Sequence, residues 1–305
     1  MSSALKKIAV VGASGRLGPF ILKALQDSKA GFDVTAITRK NSTATFDANT
    51  KVVKVTDGYP DEEMVETFRG YDAVVLVISF ASEHHGALVR ASIKAGVKRL
   101  IPSGFGAPSN EHVNSFFPVA KTKTEMIADL KTLEQPGWSW TDVSCGAFLD
   151  FCMQVNFFGI DPKNKTAEIW DDGNARFTAT TRESIGLAVA GVLSKPEETK
   201  NRTVYVSSTE LSLNDLLAAE QKVVGKDGWA FTNINTDEEI PKQQQIVATA
   251  TDRMAQFMAT GRLGLASVMK PEYGANLKAR GLLENDLLGV PQESLDDIVE
   301  QVLAK

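Results

Sequence analysis

Short apolar runs alternate with amphipathic stretches along the first half of the chain. The apolar runs predict strands, which lie at 7–11, 33–39, 51–55, 72–79 and 98–104. The stretches between them carry helical periodicity, with predicted helices at 19–27, 61–70 and 84–96. The run at 72–79 is almost continuously apolar, as expected for a strand buried on both faces. Strands that are separated by helices in this way predict an α/β fold with a doubly wound, parallel Rossmann sheet.

The pattern changes after residue 104. A helix at 120–133 and a sixth strand at 138–145 are predicted, and 146–176 is aromatic without a regular period. Further on, a helix (182–195), a strand (203–208) and a helix that Ser212 and Asp215 would cap are predicted. We therefore expect a nucleotide-binding Rossmann domain over 1–150. A smaller, mostly helical, substrate-binding region is expected over 151–305, whose strand near 204 could return to the main sheet.

Three glycines follow the first predicted strand in the sequence VVGASGRLG. At a junction between strand and helix, backbone N–H groups and the positive end of the helix can hold a pyrophosphate. A Cβ atom at Gly12 or Gly15 would obstruct the phosphates, and Gly18 would let helix and strand pack closely. The spacing is G-x-x-G-x-x-G rather than the commoner G-x-G-x-x-G, and a glycine turn without a ligand is the alternative. Within a βαβ unit the turn predicts a dinucleotide site, formed by Gly12, Ser14, Gly15, Arg16, Leu17 and Gly18.

The end of the second predicted strand indicates which dinucleotide is bound. NAD-dependent proteins usually place Asp or Glu there to bind the ribose 2′-hydroxyl, whereas this chain has Arg39 and Lys40. A guanidinium can bind a 2′-phosphate through two hydrogen bonds. We therefore predict that Arg39 binds the 2′-phosphate of NADP(H), with Lys40, Ser14 and Arg16 as helpers. Solvated surface charges are the alternative explanation for the two cations.

Composition excludes several other classes of protein. Of 305 residues, 43% are hydrophobic and 23% are charged, and the net charge is −5. An acidic chain is not expected to bind nucleic acid through phosphate contacts. The sequence has no apolar run long enough to span a membrane and no signal-peptide pattern, so a cytoplasmic protein is expected.

The cysteines and histidines do not form a recognisable motif. Cys145 and Cys152 are expected to be reduced and buried. His84 and His85 are adjacent, so on a helix their side chains would point about 100° apart and could not both bind one metal ion well. We therefore predict no metal site.

Several segments resemble a known family. They are VVGASGRLG, TRK after the second strand, AGVKRLIPSGFG (95–106) and AKTKTE (120–125). The chain resembles the atypical short-chain dehydrogenases of the isoflavone reductase and phenylcoumaran benzylic ether reductase group, within the NmrA-like family. GWSWTDVSCGAFLDF (137–151) and GLLENDLLGVP (281–291) resemble fungal members in particular. The resemblance implies NADPH-dependent reduction of small, often aromatic, molecules, although some relatives bind the cofactor as redox sensors without turnover.

The resemblance also indicates where a proton could be transferred. Ordinary short-chain dehydrogenases carry Tyr-x-x-x-Lys where this chain has Phe117 and Lys121, and a phenylalanine cannot donate a proton. The reductase group uses a lysine at the start of this helix, which corresponds to Lys121, with Lys123 as a competing alignment. Either lysine could act as a general acid or base. The alternative is that both are solvated residues at a helix start.

Further site residues are expected at the carboxyl ends of the strands. Ser79 and Phe80 follow the fourth strand, and Ser103 and Phe105 follow the fifth, so all four could contact the nicotinamide side of the cofactor. Relatives commonly carry Glu at the position of Gly104, which removes a polar group here. The aromatic segment after the sixth strand should contribute substrate contacts, and its candidate residues are Phe148, Phe151, Met153 and Phe157.

Together these features predict an NADPH-dependent oxidoreductase. Its substrate would be a small aromatic or apolar molecule of the secondary-metabolite type, reduced by hydride from nicotinamide C4 with a lysine as general acid or base. An NmrA-like, NADP(H)-binding regulator without turnover is the main alternative, because the catalytic tyrosine is missing. A non-redox enzyme on the same fold is a third. The oligomeric state, the substrate and its stereochemistry stay open.

Overall fold

The computed structural model describes residues 4–79, 82–108 and 110–304. The strands, in chain order, are β1 (Lys7–Val11), β2 (Asp33–Arg39), β3 (Lys51–Val55), β4 (Ala73–Leu76), β5 (Arg99–Ile101), β6 (Ser139–Ser144), β7 (Ala147–Phe148), β8 (Ile160–Asp161), β9 (Thr166–Trp170), β10 (Phe177–Thr180), β11 (Arg202–Tyr205), β12 (Thr209–Leu211) and β13 (Ala230–Ile234). The helices are α1 (Gly18–Gln26), α2 (Asp61–Phe68), α3 (His85–Lys94), α4 (Glu111–Phe116), α5 (Pro118–Thr132), α6 (Leu149–Gln154), α7 (Arg182–Ser194), α8 (Pro196–Thr199), α9 (Leu213–Val224), α10 (Thr236–Thr249), α11 (Arg253–Ala266), α12 (Asn285–Leu288) and α13 (Leu295–Leu303).

Seven strands form the main sheet, in the order β11-β6-β5-β4-β1-β2-β3. All neighbouring strands in it are parallel. The predicted doubly wound Rossmann sheet is therefore confirmed. Its strand order reverses between β1 and β4, and in such sheets ligands bind in the crevice outside the carboxyl ends of the strands at that point.

Helices cover both faces of the main sheet. The core on one face includes Ile8, Val10 and residues of α1 and α7, whereas the core on the other face includes Ala9, Val11 and residues of α2, α3 and α5. This alternation along β1 follows from the period of two in a strand. α1 and α7 lie so close together that a Cβ atom on Gly186 would be only 2.5 Å from the backbone oxygen of Phe20.

The second half of the chain supplies both a strand of the main sheet and a separate core. β11 pairs with β6 at the edge of the main sheet. Two three-stranded sheets, β12-β10-β7 and β13-β9-β8, pack with α6, α9 and α13 around a core that includes Leu149, Phe158, Trp170 and Phe177. The predicted cap of α9 is confirmed as a capping box between Ser212 and Asp215.

The segment 146–176, for which the sequence predicts no regular element, contains β7, α6, β8 and β9. β7 and β8 are only two residues long, which is too short for periodicity to show. β9 pairs in parallel with β13, more than 60 residues further along the chain, so its partner is set by tertiary packing. Within the described parts of the chain, no helix is long and apolar enough to cross a membrane.

Candidate functional site

The glycine turn joins β1 to α1 at the carboxyl edge of the sheet. Gly12 has a φ of +83°, and a Cβ atom there would lie 2.4 Å from the backbone oxygen of Val77. A Cβ atom on Gly18 would lie 2.4 Å from the backbone of Ala13. Both glycines are therefore required by contacts within the protein itself. In contrast, the nearest atom to a Cβ on Gly15 is 3.3 Å away, and this residue is exposed.

The turn fits a bound phosphate group. α1 begins after Leu17 without a side-chain cap, and the neighbouring Ser14, Gly15 and Arg16 are exposed. Within the described residues, the N–H groups of Arg16 and Leu17 have no hydrogen-bond partner. Unpaired N–H groups at the positive end of a helix are suited to bind an anion. The turn could thus hold the pyrophosphate of a dinucleotide.

Arg39 and Lys40, at the end of β2, differ in their environment. Lys40 donates a hydrogen bond of 2.9 Å to Thr56 Oγ1, and its ammonium lies 3.7 Å from Glu63. The exposed guanidinium of Arg39 has neither a hydrogen bond nor an ion pair to any residue that the structure describes. Its positive charge acts on the buried Tyr59: burial raises the pKa of this residue, and Arg39 opposes part of the rise. Arg39 is therefore the more available cation for a phosphate.

The residues that follow β4 and β5, which the sequence predicts to contact the nicotinamide, differ in their burial. Ser79 is exposed, and Phe80 lies outside the described residues. Ser103 is buried: its hydroxyl donates to the carbonyl of Ile78, and its N–H donates to His85 Nε2. Burial lowers the pKa of His85 to about 4, so the ring is neutral and can accept this bond. Ser103 thus ties the ends of the two strands together.

An apolar cavity of about 210 Å³ lies beside the carboxyl ends of β5 and β6. Aromatic side chains and glycines from several elements line it, with Lys123 as the one cationic group among the described lining residues. The lining includes Phe105, Gly106, Phe117, Phe148, Phe157, Phe158 and Gly264. Apolar walls with few polar groups are typical of small-molecule sites. The arrangement therefore suits an apolar or aromatic ligand.

The predicted substrate residues divide into three groups. Phe148 and Phe157 line the apolar cavity. Met153 is buried in the core of the second half of the chain. Phe151 lies instead against the glycine turn, with its ring centre 4.8 Å from the guanidinium carbon of Arg16. The structure thus brings two of the four residues into the cavity and one to the turn.

The two candidate lysines lie on different faces of α5. Lys121 is exposed, and its ammonium lies 3.9 Å from Glu125 at a separate surface groove. Lys123 is only 8% exposed and lines the apolar cavity. Residues two apart on a helix point about 200° apart, so only one of them can face inwards. The signal was present in the sequence, because Lys123 continues the stripe of buried residues Ala120, Met126 and Leu130.

Asp142 on β6 is a polar residue of this site that the sequence analysis did not single out. It is fully buried, and its Oδ2 atom lies 3.4 Å from Lys123 Nζ. Burial raises the pKa of Asp142, and Lys123 opposes this shift. A Cβ atom on Gly104 would lie 1.9 Å from Asp142 Oδ1, so the missing side chain at 104 leaves room for this carboxylate. A charged residue in the middle of a predicted strand of the main sheet, as in WSWTDVSC, is the signal that could have revealed it.

Phe117 and Gly264 complete the cavity. The ring of Phe117, which the sequence analysis aligns with the tyrosine of ordinary short-chain dehydrogenases, lines the cavity and has no group that can donate a proton. A Cβ atom on Gly264 of α11 would lie 3.2 Å from Phe117. A glycine within a helix costs stability, so Gly264 in the last turn of α11 is a sequence signal of close packing.

Both cysteines are buried free thiols. Burial raises the pKa of each to about 12, so neither is a thiolate at neutral pH. His84 lies edge-on to Tyr59, with ring centres 5.6 Å apart. Among the described residues, no three His, Cys, Asp or Glu side chains are grouped so that they could hold a metal ion.

Comparison with known proteins identifies the family. Residues 4–260 match the profile of the NmrA-like family. The chain is 32% identical over 306 residues to Oxidoreductase aprR of Aspergillus flavus, covering 97% of this chain and 98% of that protein. It is 28% identical over 236 residues to Eugenol synthase 1 of Petunia hybrida, covering 72% and 75%. The chain belongs to the NmrA-like family, and it is an oxidoreductase of the isoflavone reductase-like group.

Solved structures have the same fold. An isoflavone reductase structure superposes with a TM-score of 0.73 at 20% identity, covering 98% of this chain and 99% of that one. A structure from a study of pinoresinol-lariciresinol and phenylcoumaran benzylic ether reductases gives 0.76 at 17% identity, covering 97% and 99%. These similarities confirm the Rossmann-like fold.

Proposed function

We propose that this oxidoreductase uses NADPH to reduce a small, one-ring aromatic or apolar molecule, and that Lys123 supplies the proton. The observation that carries the proposal is the position of Lys123 as the cationic group among the described residues that line the apolar cavity. The cavity lies at the carboxyl ends of β5 and β6, on the edge of the sheet that also carries the glycine turn. Hydride donor and proton donor could therefore meet there.

The phosphorylated coenzyme is favoured by the cations at the end of β2. Arg39 is exposed and unpaired within the described chain, whereas a carboxylate that would repel a 2′-phosphate is missing at this point. Two structural neighbours bind this coenzyme: a quinone oxidoreductase of Escherichia coli was solved with NADPH, and a triphenylmethane reductase of Citrobacter sp. with NADP(H). When bound, the nicotinamide supplies a hydride from C4.

Side chains of this protein would bind the substrate and donate the proton. Phe148 and Phe157 would hold the ring of the substrate and exclude water from the cavity. The ammonium of Lys123 would donate a proton to the atom that gains negative charge: the oxygen of a carbonyl that accepts the hydride at carbon, or the α carbon of a conjugated ketone that accepts it at the β carbon. One hydride and one proton then balance the reduction.

The size of the cavity favours a single aromatic ring. Its volume of about 210 Å³ is smaller than the roughly 300–1,000 Å³ typical of sites for drug-sized ligands. The relative Eugenol synthase 1 of Petunia hybrida is named for a product with a single aromatic ring. We therefore expect one-ring substrates to be reduced faster than two-ring ones.

The test compares two lysine variants. NADPH oxidation is followed with a panel of aromatic aldehydes, conjugated ketones, quinones and benzylic ethers. Lys123→Ala should lose at least about 100-fold in kcat, whereas the exposed Lys121→Ala should keep its activity. Equal activity of wild type and Lys123→Ala would remove this lysine from the mechanism. Tight NADPH binding without turnover of any compound in the panel would instead support a regulator.

A further inference from the structure

The buried carboxylate of Asp142 is not explained by the fold. Its side chain is 0% exposed, and neither of its oxygens accepts a hydrogen bond of standard geometry within the described residues. Thr203 on the adjacent β11 lies close enough to lower the pKa of Asp142, but burial is the largest effect and raises it. An aspartate in such a place costs folding free energy. A structural role alone would be filled better by an apolar residue.

Asp142 has one charged partner, Lys123, among the described residues. The Nζ atom of Lys123 lies 3.4 Å from Asp142 Oδ2 and 3.4 Å from the backbone oxygen of Ala107. The side chain of Lys123 is 10% exposed. An ammonium in an apolar cavity tends to lose its proton, because burial disfavours the charged form, and a nearby carboxylate counteracts this.

We propose that Asp142 is a positioning residue for Lys123: it fixes the direction of the ammonium in the cavity and keeps it charged. Gly104 makes this pairing possible, because any side chain there would displace the Asp142 carboxylate. The inference rests on the proposed function for its catalytic meaning. The pairing itself can be tested without a substrate.

Other titratable groups near the pair stay neutral. The thiol of Cys145 lies close enough to Lys123 and Asp142 to feel both charges, and burial raises its pKa to about 12. Tyr205 on β11 faces Asp142, and burial followed by the charge of that carboxylate raises its pKa. Among these neighbours, Asp142 is therefore the group whose carboxylate can pair with the ammonium of Lys123.

The first experiment uses NMR on protein with ¹³C-labelled lysine. The Lys123 Cε signal, assigned with Lys123→Arg, is followed against pH in wild type and in Asp142→Asn, which keeps the shape and removes the charge. The deprotonation midpoint should fall by at least about one pH unit in the variant. Lys121 serves as the internal control and should not move. An unchanged midpoint for Lys123 would overturn the proposal.

Two further measurements keep the test decisive if Asp142→Asn does not fold. In wild type, the ¹³Cγ signal of Asp142 should be that of an ionised carboxylate at pH 7, and a protonated carboxyl would contradict the proposal. The double variant Gly104→Asp/Asp142→Ala brings a carboxylate next to the vacated position from the segment that follows β5. It should restore the wild-type titration of Lys123, whereas Asp142→Ala alone should not.

Activity separates this inference from the proposed function. In Asp142→Asn, kcat should decline at a lower pH than in wild type, by about tenfold for each pH unit above the new midpoint, while KM stays nearly constant. If the NMR midpoint moves and the kcat profile does not, the pairing stands and the proton-donor role of Lys123 fails.

Discussion

The guanidinium carbon of Arg16 lies 4.8 Å from the ring centre of Phe151. This contact joins the glycine turn of the first half of the chain to α6 of the second half. The guanidinium carbon of Arg182 lies 5.6 Å from the ring centre of the same Phe151 and 4.7 Å from the ring centre of Phe20. The cation that borders the proposed pyrophosphate site is therefore held by an aromatic ring next to the substrate region.

Replacing Phe151 should weaken cofactor binding slightly. A cation–π contact at an exposed site contributes about 0.5–1 kcal/mol, so Phe151→Leu should raise the Kd for NADPH about two- to fivefold in calorimetry. Phe157→Leu is the matched control, because Phe157 lines the apolar cavity. It should leave this Kd unchanged and alter KM for the substrate. Equal Kd values for wild type and Phe151→Leu would show that the contact does not hold Arg16 for the cofactor.

The two glycines of the turn should respond differently to alanine. Gly12→Ala places a Cβ atom 2.4 Å from a backbone oxygen at a φ of +83°, so the free energy of unfolding should fall by at least about 1–3 kcal/mol. Gly15→Ala meets no atom closer than 3.3 Å. It should keep a near-normal Tm but lose NADPH affinity. Thermal unfolding and calorimetry of both variants check this, and a stable Gly12→Ala protein would contradict it.

Arg39 should determine the choice of coenzyme. Charge-assisted hydrogen bonds contribute about 1.5–3 kcal/mol, so Arg39→Ala should weaken NADPH binding roughly 10- to 100-fold and leave NADH binding nearly unchanged. Lys40→Ala is the control, since its ammonium is engaged by Thr56 and Glu63. Fluorescence titration with both coenzymes measures the effect. A loss of the same size in Lys40→Ala would shift the role to that residue.

Glu220 on α9 should make stability depend on pH. It is buried, its Oε2 atom has no hydrogen-bond partner among the described residues, and burial raises its pKa from 4.5 to about 8. Between these values the folded state holds a proton that the unfolded state releases. Its contribution to stability is therefore complete below pH 4.5 and is lost as the pH rises towards 8, at up to about 1.4 kcal/mol per pH unit.

Glu220→Gln should remove this loss. Urea unfolding of wild type and variant across pH 4.5–8 should show a flatter dependence for the variant, which becomes the more stable of the two at pH 8. Glu300→Gln, on an exposed position of α13, should follow the wild type. Parallel curves for wild type and Glu220→Gln would refute the proton uptake.

The sequence predicted those parts of the molecule that depend on local pattern. The glycine turn, the strands of the sheet and the Ser212 cap follow from residues within a few positions of one another. The cavity does not, because Phe148 and Gly264 are brought together by tertiary packing across more than 100 residues. The choice between Lys121 and Lys123 depends on the rotation of α5 against the sheet, which its buried stripe sets. The proposed role of Asp142 depends on its contact with Lys123 and on the space left by Gly104, and both are set by tertiary packing.

Calorimetric titration of the purified protein with NADPH and with NADH tests whether the glycine turn and Arg39 form a coenzyme site. An uncapped helix end with free N–H groups, next to the exposed Arg39, predicts that NADPH binds at least about tenfold more tightly than NADH. The absence of binding heat from both coenzymes would show that the turn holds no dinucleotide, and tighter binding of NADH would show that Arg39 does not bind a 2′-phosphate.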